Sequence, residues 1–296
     1  MFLLVGGDSE IGGATYLHLR TSGKAATATT RRPERAARDR PLLDLAADFS
    51  SFEPAPDVSA ACIFAATARL ADCAADPAGS ASINVLQTLA LVERLTARNV
   101  YVLFLSTNQV FNGSIAHVRA NAPASPVSEY GRQKARAEAA LRERMLAGAP
   151  IGILRLAKVV SESVPLLHGW VRALSAGEPI RAFHDMPMAP VPTALVSAAI
   201  TALLESRAPG VFQITGPQDV SYADVAHRLG RQLGADPALV GTVGAIAAGL
   251  PEGSTPRHTT LDSSAMRDRF GIVTPGPWCV LDPIVEACRD LSETSS

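Results

Sequence analysis

Short apolar runs alternate with helical patterns of hydrophobic spacing through the first 158 residues. The apolar runs cover residues 2–5, 25–30, 60–66, 100–105 and 151–156, and the helical patterns cover 11–22, 80–98 and 129–146. Strands that alternate with helices are typical of parallel βαβ units. Runs that are apolar throughout fit strands covered on both faces. The pattern therefore predicts an α/β fold with a doubly wound parallel sheet.

The pattern changes after about residue 158. Prolines and glycines become frequent between residues 165 and 192, and the next elements are a helix (194–205), a short strand (211–215) and a helix (221–233). Ser221, with Asp224 three residues later, is close to a capping box. The Gly-rich stretch 241–256 fits neither pattern. We therefore expect a first domain over 1–158, to which 191–214 returns, and a smaller C-terminal lobe made mainly of 159–296.

A glycine-rich turn stands between the first strand and the first helix, with Gly6 and Gly12 near its two ends. Such a turn lets backbone N–H groups and a helix N-terminus approach a pyrophosphate, as in Rossmann-type folds. The alternative is an ordinary tight turn. Ser9 occupies the middle glycine position, where its hydroxyl would either crowd the phosphate or bind it. We expect Gly6, Ser9, Glu10, Ile11 and Gly12 to contact a dinucleotide.

Arg31 and Arg32 stand at the end of the second predicted strand, and the first acidic residue after them is Glu34. An acid at this place binds a ribose 2′-OH, whereas arginine accommodates a 2′-phosphate. The alternative is a solvated basic turn in an Arg-rich chain. The pattern favours NADP(H) over NAD(H). Asp44 and Leu45 are candidates for the adenine contact, although an exposed Asp is equally compatible with the sequence.

Composition narrows the class of protein. The chain has 296 residues, 47% of them hydrophobic and 19% charged, and a net charge of −1. These values indicate a folded globular protein without the basic surface that nucleic acids require. No apolar run is long enough to span a membrane. The apolar start predicts a strand rather than a leader segment. The cysteines lack C-x-x-C spacing and the histidines lack metal-ligand spacing, so we expect a cytoplasmic protein without a metal site.

Tyr130 and Lys134 stand four residues apart in a predicted helix, so both side chains project from one face. Only three of the 27 basic residues are lysines, which makes the pair unusual in this chain. Ser106 and Thr107 follow an apolar strand, at the carboxyl edge where open α/β sheets bind ligands. The alternative for each feature is structural: a surface Lys beside a half-buried Tyr, and hydroxyls that cap a loop.

With these elements in order, the chain resembles the extended short-chain dehydrogenase/reductase superfamily, and within it the dTDP-4-dehydrorhamnose reductase family. The resemblance rests on the glycine turn, on Ser106-Thr-Asn-Gln-Val-Phe-Asn-Gly113 and on Tyr130-Gly-Arg-Gln-Lys134. Further segments that match are Ala65-Ala66, Asn84-Val85, Arg155-Leu-Ala, Pro192-Thr193, Val211-Phe-Gln-Ile-Thr-Gly216, Leu261-Asp-Ser-Ser-Ala-Met and Phe270-Gly-Ile.

The resemblance implies an NADPH-dependent reductase of a keto-sugar nucleotide or related ketone. It implies that Tyr130 donates a proton to the developing alkoxide and that Thr107 binds the carbonyl oxygen. Lys134 would bind the nicotinamide ribose and lower the pKa of Tyr130. Cofactor contacts are also implied for Ala65, Ala66 and Thr67. The C-terminal lobe would bind the substrate, and a homodimer is compatible with the resemblance.

Three positions depart from the family pattern: Ser9, the pair Asn108-Gln109 in place of an acidic-aromatic pair, and Lys158 in place of an aromatic residue. They leave two alternatives open. One is a non-catalytic, NADP-binding regulatory subunit, against which the intact Thr107, Tyr130 and Lys134 argue. The other is a sugar-nucleotide epimerase or dehydratase; Asn108 argues against the dehydratase, which would need an acid next to Thr107.

Overall fold

A computed structural model of the chain describes residues 1–161, 164–250 and 255–293. The strands are β1 (Phe2–Val5), β2 (Ala26–Ala28), β3 (Ala60–Ile63), β4 (Tyr101–Thr107), β5 (Ile151–Leu156), β6 (Val159–Val160), β7 (Ile180–Phe183), β8 (Pro187–Met188), β9 (Val191–Pro192), β10 (Gly210–Ile214), β11 (Val220–Ser221) and β12 (Val240–Val243). The α-helices are α1 (Glu10–Thr21), α2 (Leu70–Ala75), α3 (Pro77–Ala81), α4 (Thr88–Thr96), α5 (Glu129–Leu146), α6 (Pro165–Ser175), α7 (Thr193–Ser206), α8 (Tyr222–Leu233), α9 (Ser264–Phe270) and α10 (Pro277–Glu293).

Six strands form a wholly parallel central sheet in the order β10-β5-β4-β3-β1-β2. The prediction of a doubly wound Rossmann-type α/β fold is confirmed. The strand order reverses between β1 and β3, where Val5 pairs with Ile63. Because ligands bind at such a switch point, outside the carboxyl ends of the strands, the segments after β1 and β3 are placed to form a site.

Both faces of the sheet are covered by apolar side chains. Leu19 of α1 and Ile200 of α7 are fully buried on one face, and Leu91 of α4 and Leu141 of α5 are fully buried on the other. Two covered faces explain why β3 and most of β4 and β5 are apolar.

The segment after β2 pairs with the end of that strand through a single bridge between Thr30 and Leu42. Thr30 donates its backbone N–H to Pro41, and Leu43 donates to Thr30. The segment between these residues therefore forms a loop at the end of β2. Residues 31–40 of this loop contain five arginines.

The helix predicted over 80–98 is present from Pro77 to Thr96, but its middle is a π-helical turn. The segment contains α3, a π-helix over Ser82–Gln87, and α4. A π-turn inserts an extra residue into the helical ladder and often marks a functional site. Here it lies at Asn84, whose side chain is buried against the loop after β3. The run predicted over 60–66 also ends early, at Ile63.

The later elements pack around a separate buried cluster that includes Trp170, Leu229 and Val285. The capping box at Ser221 and Asp224 is confirmed. In the ambiguous stretch 241–256, β12 pairs in parallel with β7, and residues 251–254 lie outside the described residues. The division into two lobes stays a prediction. Within the described ranges, no helix combines the length and apolarity needed to cross a bilayer.

Candidate functional site

The glycine turn leaves no room for side chains on its inner surface. Gly6 has φ +93°, and a Cβ on it would lie 2.7 Å from the backbone nitrogen of Ala65. A Cβ on Gly12 would lie 2.6 Å from the carbonyl oxygen of Gly6. The backbones of the turn and of the segment after β3 thus meet closely beside the N-terminus of α1. Such a cradle fits the pyrophosphate of a dinucleotide.

Ser9 is the N-cap of α1. Its Oγ accepts a hydrogen bond of 3.1 Å from the backbone N–H of Gly12 and donates one of 2.8 Å to the carbonyl oxygen of Gly6. The hydroxyl is therefore used inside the turn, which explains a serine at the middle glycine position. A Ser immediately before a helix is a capping signal that the sequence already contained. Glu10 and Ile11 follow in the first turn of α1.

The carboxylate of Asp8 lies at the end of β2, where the sequence placed no acid. It accepts hydrogen bonds from Thr30 Oγ1 at 2.6 Å, from the Arg31 backbone at 3.3 Å and from Arg40 Nη2 at 2.6 Å. Burial alone would raise the pKa of Asp8, but these hydrogen bonds outweigh it and lower the pKa. The side chains of Arg31 and Arg32 are exposed. Sequence reasoning missed Asp8 and Arg40.

Asp44 and Leu45 differ in their surroundings. Leu45 is 4% exposed and packs in the core beneath the sheet. Asp44 is half-buried, and its Oδ1 accepts a hydrogen bond of 2.9 Å from the Ala46 backbone. The Asp44 carboxylate therefore stabilises a local turn, which lies beyond β2 at the edge of the sheet.

The loop after β3, with Ala65, Ala66 and Thr67, is held by a buried amide. Thr67 donates its backbone N–H to Asn84 Oδ1 at 2.8 Å, and Asn84 Nδ2 donates to the Thr67 carbonyl at 2.9 Å. The two bonds fix both polar groups of one residue. The π-turn at Asn84 thereby positions the loop that lies against Gly6.

Gln133 extends this network to α5. It is fully buried, and its Oε1 accepts a hydrogen bond of 2.7 Å from Asn84 Nδ2. Its Nε2 donates to Ser80 Oγ at 2.8 Å and to Glu129 Oε1 at 3.1 Å. One amide therefore connects the loop after β3 with the first turn of α5. Nothing in the spacing of these residues along the chain predicted the connection.

Thr107 ends β4 and begins a short 3₁₀ turn. Its Oγ1 accepts a hydrogen bond of 3.2 Å from the Gln109 backbone and donates one of 3.3 Å to Asn108 Oδ1. The side chain of Gln109 accepts a hydrogen bond of 2.8 Å from Ser128, the N-cap of α5. The unusual Asn108-Gln109 pair therefore joins the Thr107 turn to the start of the helix that carries Tyr130.

Tyr130 and Lys134 lie in the first and second turns of α5, on one face, as predicted. Tyr130 is half-buried; burial first, and the neighbouring Cys73 thiol second, raise its pKa to about 12. Lys134 is 3% exposed, and burial lowers its pKa to about 7 despite the opposing effect of Glu138. The expected lowering of the Tyr130 pKa by Lys134 does not occur, because burial dominates both groups.

A buried ion pair fixes α5 against the sheet. Arg155 of β5 is 1% exposed, and its Nε and Nη2 donate to the Glu138 carboxylate at 2.9 and 2.6 Å. Its Nη1 donates to Gln213 of β10 at 2.9 Å. Such a bidentate pair is rigid and directional. It sets the position of the helix one turn after Lys134.

Sequence comparison places these features among known proteins. The pattern of the family described as RmlD substrate binding domain matches residues 1–280. One similar protein is the "Probable low-salt glycan biosynthesis reductase Agl14" of Haloferax volcanii, 26% identical over 212 residues that cover 69% of each chain. Another is the dTDP-4-keto-6-deoxy-D-glucose reductase of Streptomyces niveus, 30% identical over 175 residues, 58% of this chain and 59% of the relative.

Among solved structures, a dTDP-4-dehydrorhamnose reductase from Bacillus anthracis, in complex with NADP, superimposes with a TM-score of 0.76. The two chains are 14% identical, and the match covers 99% of this chain and 97% of the other. At this identity the likeness shows the fold alone.

Proposed function

The chain belongs to the RmlD substrate binding domain family, and on that premise we propose that it is an NADPH-dependent reductase of a nucleotide-linked keto sugar. One observation carries the proposal. Tyr130 and Lys134 share a face of α5, and that helix is joined by Gln109 to the Thr107 turn and by Gln133 to the loop beside the glycine turn. The elements that a ketone reductase needs thus meet at the carboxyl edge of the sheet.

The residues assigned to the cofactor follow the edge of the sheet. They are Gly6, Ser9, Glu10, Ile11 and Gly12 for the pyrophosphate, Arg31 and Arg32 for the 2′-phosphate, Asp44 and Leu45 for the adenine, and Ala65, Ala66, Thr67, Tyr130 and Lys134 for the nicotinamide end. The cradle formed by Gly6 and Gly12 supports the first group, since a Cβ at either glycine would meet backbone atoms. When bound, the reduced nicotinamide supplies the hydride.

The protein's own contribution is a positioned proton. A phenol with a pKa of about 12 stays protonated at neutral pH, so Tyr130 holds the proton that a developing alkoxide needs. Thr107 orients the carbonyl oxygen toward that proton. Lys134 binds the ribose hydroxyls, since an ammonium with rotatable donors suits them.

The relatives support the substrate class. Both are named as reductases, and one acts on a dTDP-linked 4-keto-6-deoxy sugar by its name. The intact Thr107, Tyr130 and Lys134 favour catalysis over a purely regulatory role. A homodimer and a cytoplasmic location stay predictions.

Incubation of the purified protein with NADPH and a panel of dTDP- and UDP-linked 4-keto sugars tests the proposal. We expect NADPH oxidation and a product reduced at the ketone carbon, identified by mass spectrometry. The Tyr130→Phe protein serves as the control for contaminating reductases. Tight NADPH binding without turnover of any keto sugar would instead support the regulatory alternative. A product epimerised without net NADPH oxidation would support the epimerase.

A further inference from the structure

The acidic side chain of Asp8, from outside the segment, reaches the basic loop at the end of β2. Residues 31–40 contain five arginines and two acids, and the carboxylate of Asp8 reaches this loop from the glycine turn. Asp8 Oδ1 lies 2.6 Å from Arg40 Nη2 and 3.8 Å from Arg35 Nη1. Its Oδ2 accepts from Thr30 Oγ1 at 2.6 Å. The side chain is 13% exposed.

The position of this carboxylate matters because of what the end of the second strand does in dinucleotide sites. A carboxylate there accepts a hydrogen bond from the ribose 2′-OH, and an arginine there receives a 2′-phosphate. In this chain both groups are present at the same place. The acid, Asp8, comes from the glycine turn and not from the strand. The sequence at the strand end therefore shows only Arg31 and Arg32.

Arg40 contacts the acid that suits a 2′-OH and is itself an arginine of the kind that suits a 2′-phosphate. It neutralises Asp8 through a charge-assisted hydrogen bond. Its Nε is buried and has no hydrogen-bond partner among the residues that the structure describes. Arg40 therefore holds the acid in place and keeps one donor unused.

We propose that Asp8, restrained by Arg40, is the residue that sets the preference between NADPH and NADH. The inference rests on the proposed function, namely that the glycine turn binds a dinucleotide. The Asp8 carboxylate repels a 2′-phosphate, accepts from a 2′-OH, and withdraws Arg40 from the phosphate. All three effects favour NADH. They therefore reduce the preference for NADPH that the surrounding arginines create.

The first test removes the charge of Asp8 and keeps its shape. Dissociation constants of NADPH and NADH are measured by titration calorimetry for the parent protein and for Asp8→Asn. We expect the NADPH preference to rise by at least roughly tenfold, because a like charge next to the phosphate is lost. Asp39→Asn is the matched control: Asp39 is exposed, in the same loop, and has no ion pair among the described residues. It should change the preference by less than about twofold.

The second test reverses the effect. Arg40→Gln leaves Asp8 without its neutralising partner, so the NADPH preference should fall by roughly tenfold. Arg38→Gln removes an exposed arginine of the same loop as its control. Thermal denaturation confirms that each variant is folded, and Asp8→Ser replaces Asp8→Asn if that variant does not fold.

An unchanged or lowered NADPH preference in Asp8→Asn, while both cofactors still bind, would overturn the inference and leave the proposed function intact. So would a fall in preference of equal size in Arg38→Gln and Arg40→Gln. Binding of neither cofactor to the parent protein would instead contradict the proposed function itself.

Discussion

The amine of Lys134 lies 3.7 Å from the centroid of the Phe104 ring, inside the protein. The ring face and the carboxylate of Glu138, one turn further on, attract the ammonium, but burial outweighs them and lowers the pKa of Lys134 to about 7. A buried ammonium without a direct carboxylate partner is costly in the folded chain. We interpret Lys134 as a residue retained for function at the expense of stability.

We therefore predict that Lys134→Met stabilises the protein without cofactor. Above pH 7 the folded chain releases the Lys134 proton, whereas the unfolded chain keeps it up to about pH 10.5. The cost of the buried charge is thus present in full below pH 7 and disappears as the pH rises toward 10.5. Urea denaturation should show a gain of a few kcal/mol at pH 7 and little gain near pH 10.

Lys158→Met is the control, because Lys158 is exposed and should give no pH-dependent gain. Lys134→Met should at the same time lose turnover and cofactor affinity. Lys134→Arg should not restore them, because a planar guanidinium cannot occupy the position of a compact ammonium. A Lys134→Met protein that is less stable than the parent at pH 7 would contradict the account of burial.

Tyr130→Phe should lower turnover by roughly 10²- to 10⁴-fold, the usual effect of a positioned proton donor. Folding should hardly change, because the ring and its packing remain. Steady-state kinetics with a keto-sugar substrate measures the effect, and Tyr16→Phe, which removes a phenol from α1, is the control. Parental turnover in Tyr130→Phe would exclude Tyr130 as the proton donor.

Local sequence patterns were sufficient to predict the bounds of an element whose structure depends on its own residues. β5 and α5 have the predicted bounds, since one is apolar apart from Arg155 and the other begins after the capping residue Ser128. The π-turn within the helix predicted over 80–98 could not be predicted, because it depends on contacts of Asn84 with residues that lie far away along the chain. Periodicity carries no information about such contacts.

In the candidate site, too, the sequence did not predict contacts between residues that are distant along the chain. Residue types and positions on elements were enough to propose Tyr130, Lys134 and Thr107 as site residues. The pairing of Asp8 with Arg40 spans 32 residues and exists only because the turn, β2 and the following loop meet in space. The pKa of Tyr130 was expected to fall and instead rises, because burial is a property of the packed fold.

The buried amide of Gln133 provides a test of coupling between the cofactor loop and α5. Gln133→Leu keeps the volume and removes the hydrogen bonds that Gln133 makes with Asn84 and Ser80, which should cost roughly 2–3 kcal/mol of stability. Because Asn84 holds Thr67, we also expect the KM for NADPH to rise more than kcat falls. Gln218→Leu, on the surface, is the control. Loss of stability with an unchanged KM for NADPH would assign Gln133 a structural role alone.

The close approach of α5 to the Thr107 turn requires a glycine next to Tyr130. A Cβ on Gly131 would overlap the carbonyl oxygen of Gln109, so Gly131→Ala must push the helix start away from that turn. We expect a stability loss of roughly 1–3 kcal/mol, typical of overpacking, together with a fall in kcat, because Tyr130 moves relative to Thr107. Gly169→Ala is the matched control: Gly169 lies within α6, has no atom within 4 Å of its Cβ position, and should gain about 0.5–1 kcal/mol. If both variants were equally stable and Gly131→Ala kept the parental kcat, the contact with Gln109 would not position the catalytic helix.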